Sequence, residues 1–133
     1  MKKPVLFFIL MLIACTGLHS QQVKIADLIG TWDQNIKKYA ATIIFVDKEI
    51  VRFSYKGRTG TSKDYYYLLD ASQTPALLTV DFKPNHRKHR NEYLIELLDK
   101  NTMKLQVLHK HDSRSHFDEE HKGNIVTLIR RTE

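Results

Sequence analysis

The sequence predicts an all-β protein of about eight antiparallel strands in up-and-down order, closed into a barrel and preceded by one short helical turn. Three observations predict it. Apolar residues recur with a period of two in runs of strand length. Turn-forming residues separate those runs at short intervals. No helical periodicity stands between them after Gly30. Sequential strands joined by short turns pair antiparallel, because parallel pairing needs a long crossover. Closing eight such strands on themselves removes exposed edges.

In chain order, Val23, Ala26 and Ile29 recur at three-residue spacing and give a turn or two of helix, which Gly30 stops. A strand starts at Thr31, and residues 40–46 form an almost wholly apolar second run. Asp47-Lys48 is a tight-turn pair before residues 50–55, where Val51, Phe53 and Tyr55 share one face. Glycines make residues 56–60 a loop, and residues 65–69 are the next strand. After a loop over 71–75, residues 76–82 alternate with Leu78, Val80 and Phe82 together, and Pro84 ends them. Residues 85–91 are a basic loop. Tyr93, Ile95 and Leu97 line one face of the following strand; Asp99-Lys100-Asn101 turns it; Met103, Leu105 and Val107 line the next. A long polar loop over 111–123 leads to the last strand, residues 125–130.

The N-terminus reads as a targeting segment. Lys2 and Lys3 precede an apolar run through Ala14 that is too short for a permanent membrane helix and suits a signal core. Residues 1–20 are therefore expected to be a signal peptide and 21–133 one β-barrel domain. Leu12-Ile13-Ala14-Cys15 resembles the bacterial lipobox, which implies cleavage before Cys15 and acylation of its thiol. Ordinary cleavage is the alternative, after Gly17 or after Ser20. Cys15 is the single cysteine, so the folded part carries no disulfide. The chain has 21 Lys and Arg against 15 Asp and Glu; without Lys2 and Lys3 the excess falls to +4. That is mild for a nucleic-acid binder, and no nucleic-acid partner is expected.

Gly30-Thr31-Trp32, placed after a short helical turn at the head of the first strand, resembles the lipocalin pattern. Leu128-Ile129-Arg130 is similar to the basic residue that lipocalins set on the last strand over that Trp, and residues 93–105 are similar to the late hairpin of small bacterial lipocalin-like domains. The resemblance covers roughly residues 24–131 and implies an eight-stranded barrel holding a small ligand. A domain of this length departs from the larger-cupped lipocalins, which leaves a shallow or a filled interior open. The Trp–Arg pair has a physical reason of its own. An indole plugs one end of a barrel, and a guanidinium stacks on its face for about 0.5–2 kcal/mol. Val126, Leu128 and Arg130 share a face, and a slip of one residue would bring Arg131 in instead.

Six of the seven histidines lie between His86 and His121: His86, His89, His109, His111, His116 and His121. Their spacing matches no zinc signature and no thiolate accompanies them, so no metal and no cofactor are expected. Lys83, Arg87, Lys88 and Arg90 with His86 and His89 suit an anion or a lipid headgroup, or plain solvent. Tyr65 and Tyr67 share the face opposite Tyr66. No Gly-rich phosphate loop, nucleophile elbow or catalytic Cys is present. Glu92 with Glu96, and Asp118 with Glu119 and Glu120, read as surface charge, so no catalytic residue and no enzyme are expected.

The expected function is a non-enzymatic, exported, lipocalin-like module for a small apolar molecule. Phe45, Phe53, Tyr55, Tyr67, Leu78, Val80, Phe82, Ile95, Leu105 and Val107 are the candidate lining. The alternative is an envelope protein-interaction module, solid inside, that meets a protein partner through loops or a sheet face. A monomer is expected, in the periplasm or secreted, or held at a membrane through a lipid on Cys15.

Overall fold

The computed structural model describes residues 22–34, 41–55, 63–83, 90–110 and 112–132, with the backbone alone at Tyr55 and Lys122. Helical turn α1 (Ile25–Leu28) precedes β1 (Gly30–Gln34), β2 (Ala41–Phe45), β3 (Ile50–Tyr55), β4 (Asp64–Asp70), β5 (Ala76–Asp81), β6 (Asn91–Asp99), β7 (Thr102–Leu108) and β8 (Ile125–Arg130). Each strand pairs antiparallel with the next, and β8 closes on β1 with Trp32 opposite Arg130. The barrel is thus the up-and-down one the alternation predicts.

Alternation sets the interior. Odd-numbered positions of β3, β4, β6 and β7, and even-numbered ones of β1, β5 and β8, carry the apolar side chains inward. Trp32, Phe45, Val51, Tyr67, Leu78, Val80, Ile95, Met103, Leu105 and Leu128 form one packed cluster. The arithmetic of up-and-down order then divides the connections between the two ends. Residues 46–49, 71–75 and 100–101 turn the chain at one end, with α1; the last residues of β1, β3, β5 and β7 and the first of β2, β4, β6 and β8 stand at the other, where the stretches between strands are the longer ones in sequence.

Local chemistry makes the short turns. The Asp47 carboxylate accepts from the backbone N–H of Glu49 and of Ile50, both at 2.8 Å, while Val46 N–H donates to Ile50 C=O at 2.9 Å. Asp99 accepts from Asn101 N–H at 2.7 Å in the β6–β7 turn. Asp27 turns α1 by accepting from Lys24 N–H at 3.0 Å, and Gln22 Nε2 ties the N-terminal segment to Ala71 C=O at 2.8 Å.

One feature departs from the polar loop expected over 111–123. Part of the segment between β7 and β8 lies back on the outer wall, where Asp118 N–H donates to Gln106 Oε1 at 2.9 Å and Lys104 Nζ sits 4.3 Å from the Phe117 ring centroid. Beneath it Leu94, Gln106 and Leu108 are buried, outside the interior cluster. Apolar residues on both faces of β6 and β7 require cover on both sides, and this segment supplies it.

Candidate functional site: a sealed floor and an aromatic mouth

The short-turn end is sealed by three residues that the sequence groups at its two extremes. Gly30 takes φ +127°, a conformation that side chains with a Cβ rarely adopt. A Cβ there would also stand 3.0 Å from an Arg130 guanidinium nitrogen. That bend sends Trp32 into the core, fully buried, with its indole N–H donating to Leu28 C=O at 2.7 Å. Arg130 lies over the indole, its guanidinium carbon 4.2 Å from the ring centroid. The same guanidinium donates to Lys100 C=O at 3.0 Å, to Ile29 C=O at 2.7 Å and to Asp27 C=O. It satisfies carbonyls of α1 and of the β6–β7 turn at once. Arg131, next in line, points outward to Asp33, with contacts of 2.6 and 2.8 Å. The slip that would exchange the two arginines does not occur.

Above this floor the inward side chains are buried. Phe45, Tyr67, Leu78, Val80, Ile95 and Leu105, six of the ten candidate lining residues, are all buried in the core cluster. Phe45 meets Tyr67 edge to face at 5.1 Å. The Tyr67 hydroxyl donates to Asp47 C=O at 2.7 Å, and burial, helped by the Asp47 charge, pushes its pKa up to about 12. These residues stand along the floor and lower wall.

Toward the long-loop end the packing loosens. Phe53 meets Tyr65 edge to face at 5.4 Å, and Tyr65 meets Phe82 at 5.8 Å, so three rings climb the inner wall. Phe82 follows the last residue of β5 and is 40% exposed; Val107, one residue before the end of β7, is 42% exposed. Both belong to the inward phase of their strands but stand at the rim. The Tyr55 side chain lies outside the described residues. Tyr65 and Tyr93 join this wall without having been among the candidates, although the period of two that selects Tyr67 and Ile95 selects them as well.

The polar candidates fall elsewhere. His86, His89, His111, Arg87 and Lys88 lie outside the described residues, as does the whole of 1–20 with Cys15. Arg90 is turned to the outer wall, where it makes two bonds of 3.1 and 3.0 Å to the buried Asp81 carboxylate. His109, His116 and His121 are exposed, and among the described residues no three His, Cys, Asp or Glu converge to hold a metal ion. A groove of about 500 Å³ runs over the β7–β8 segment, lined by Arg114, His116, Phe117, Asp118, Glu119 and Glu120. Arg114, Asp118 and Glu119 among its charged groups are used internally. Arg114 reaches Asp112 at 3.1 Å and also Asp118, His121 Nδ1 reaches Asp118 at 2.7 Å, and Lys104 reaches Glu119 at 2.5 Å. Burial raises the Asp118 pKa, but the bonds from His121 and Arg114 outweigh it and take it down to about 2. The arrangement is a clasp holding the segment to the wall.

No protein-family model, curated protein or solved structure matches this chain. The barrel itself, eight antiparallel strands with a helical turn at one end, is compatible with a lipocalin-like fold.

Proposed function

We propose that this chain is an exported, non-enzymatic, lipocalin-like binding module that takes a small apolar ligand at the long-loop end of its barrel. The observation that carries the reading is the inward-facing ladder Phe53, Tyr65 and Phe82, which rises from a packed core to a rim where Phe82 and Val107 keep two-fifths of their surface open. Aromatic walls with little polar lining suit a small apolar guest, and the tyrosine hydroxyls offer it orientation. Charge relay, nucleophile or paired catalytic carboxylates play no part in it.

The buried apolar cluster lower in the barrel favours a second reading, a filled barrel that meets a protein partner through its rim. Native mass spectrometry of the protein purified from its own cells separates the two. A retained small molecule, lost in Phe53→Ala, supports the ligand reading. A ligand-free mass, with an apolar dye neither bound nor competed at the rim, supports the second. In the same preparations the removal of residues 1–20 is expected, and Cys15→Ala is expected to abolish any acylated species.

A further inference from the structure

We infer that the guest of the mouth is an amphiphile, an apolar chain ending in one anionic head, and that Lys63 receives that head. The inference rests on the ligand reading above and names the chemical class of its guest. The inward phase of the strands carries it. Odd-numbered positions of β4 face the interior, and Lys63 extends that phase one residue ahead of Asp64, where the strand begins. Its Nζ lies 5.6 Å from the centroid of the Phe82 ring, which itself follows β5 in the inward phase of that strand. Phe53, Tyr65 and Phe82 meet edge to face in turn, so Lys63 stands at the top of the ladder. Among the described residues it is the only Lys, Arg, Asp or Glu in the inward phase at this rim.

The acids nearby face elsewhere. Asp64, Asp81 and Glu92 hold the outward phase of β4, β5 and β6, with Asp64 paired to Arg52 and Asp81 to Arg90. Asp112, Asp118 and Glu119 belong to the clasp on the outer wall and pair with Arg114 and Lys104, and Glu120 is exposed on the same segment. Lys63 is exposed and has no carboxylate partner among the described residues. At 5.6 Å its ammonium stands near the outer reach of cation–π attraction, about 6 Å, which leaves its donors to water. A chain entering the mouth would cover the three rings and leave its own end at the rim. A carboxylate or a phosphate monoester placed there accepts a charge-assisted bond from Lys63, whereas an alcohol accepts a weaker one.

The test titrates the full chain with decanoate, decyl phosphate and decanol, each below its micelle concentration, and reads the ratio of each anion's affinity to that of the alcohol. Lys63→Gln is expected to lower that ratio at least about fivefold, and Lys63→Glu to lower it further. Lys63→Arg should keep it. Lys83→Gln, one residue past Phe82 and in the outward phase, should leave it nearly unchanged. The anion with the larger drop identifies the head as carboxylate or phosphate. Residues 1–21 are common to every variant and cancel from the comparison. Urea denaturation reports that each variant folds. A ratio that Lys63→Gln leaves unchanged, or that Lys83→Gln lowers equally, would overturn the inference; the ligand reading would survive it if decanol still binds and loses affinity in Phe53→Ala. Binding of none of the three probes would sink both.

Discussion

Both ends of this barrel set a cation over an aromatic ring, and the two pairs behave differently. At the floor, Arg130 stands 4.2 Å from the Trp32 centroid, is fixed by carbonyls of Lys100, Ile29 and Asp27, and covers a ring with no exposed surface. At the mouth, Lys63 stands 5.6 Å from a Phe82 ring that is 40% exposed. The guanidinium's planar fork can stack and donate at once, whereas the ammonium is a compact, strongly hydrated charge. The difference teaches where stability and binding reside. The floor joins the first strand to the last and spends its polar groups internally. The mouth leaves Lys63 and the Phe82 ring facing solvent.

If that division is right, substitutions at the floor cost stability and those at the mouth cost binding. The largest effect is expected from Trp32→Ala, which empties the end of the core; urea denaturation should show a loss of about 3–5 kcal/mol. Arg130→Ala comes next, at about 2–3 kcal/mol, because it strips the ring's cover and leaves three carbonyls without their charged donor. Arg130→Lys should recover only a minor part, since one ammonium cannot span those carbonyls and stack. Gly30→Ala is expected to cost about 1–3 kcal/mol through its positive φ and the approach of Arg130.

Tyr67 sharpens the comparison through pH. Its pKa is raised by burial to about 12, against an ordinary value of 10.0. The neutral phenol is therefore favoured by folding, a contribution that is complete below pH 10 and lost as pH rises toward 12. Tyr67→Phe should cost about 1 kcal/mol at neutral pH for the bond to Asp47 and should flatten the alkaline limb of the stability curve. Asp118 has the opposite sign. Its lowered pKa gives the clasp a contribution present above pH 3.8 and lost as pH falls toward 2. Hydrogen exchange over residues 112–124 should quicken in that acid window before the barrel opens.

The smallest effect on stability is expected at the mouth. Phe82→Ala should cost under about 1.5 kcal/mol, because the ring is already two-fifths exposed, yet it should weaken retention of an apolar guest. A loss as large as that of Trp32→Ala would erase the distinction between the ends.

Much of this fold was written in local pattern. The period of two in Val51-Arg52-Phe53 and in Met103-Lys104-Leu105 gives strand and inward face together, because a pleated backbone has no other arrangement. Gly30-Thr31-Trp32 and Arg130 marked the floor through their resemblance to the lipocalin pattern and through the stacking that an indole and a guanidinium allow. The clasp was less legible. Leu94 and Leu108 on the second face of their strands signal an outer cover, but nothing local says that Phe117 and Asp118 return to provide it.

What the sequence by itself determined is therefore strand, order and inward phase, all consequences of neighbours along the chain. What only the tertiary structure decided depends on pairing across it. The register of β8 on β1 put Arg130 rather than Arg131 over the indole, since one residue of slip exchanges the faces. Distance from the floor decided that Tyr67 and Ile95 are sealed while Phe82 and Val107, in the same inward phase, reach the rim. Periodicity assigns a side chain its face; height along the barrel axis, which sets its access to water, comes from the stagger of eight strands closed on one another.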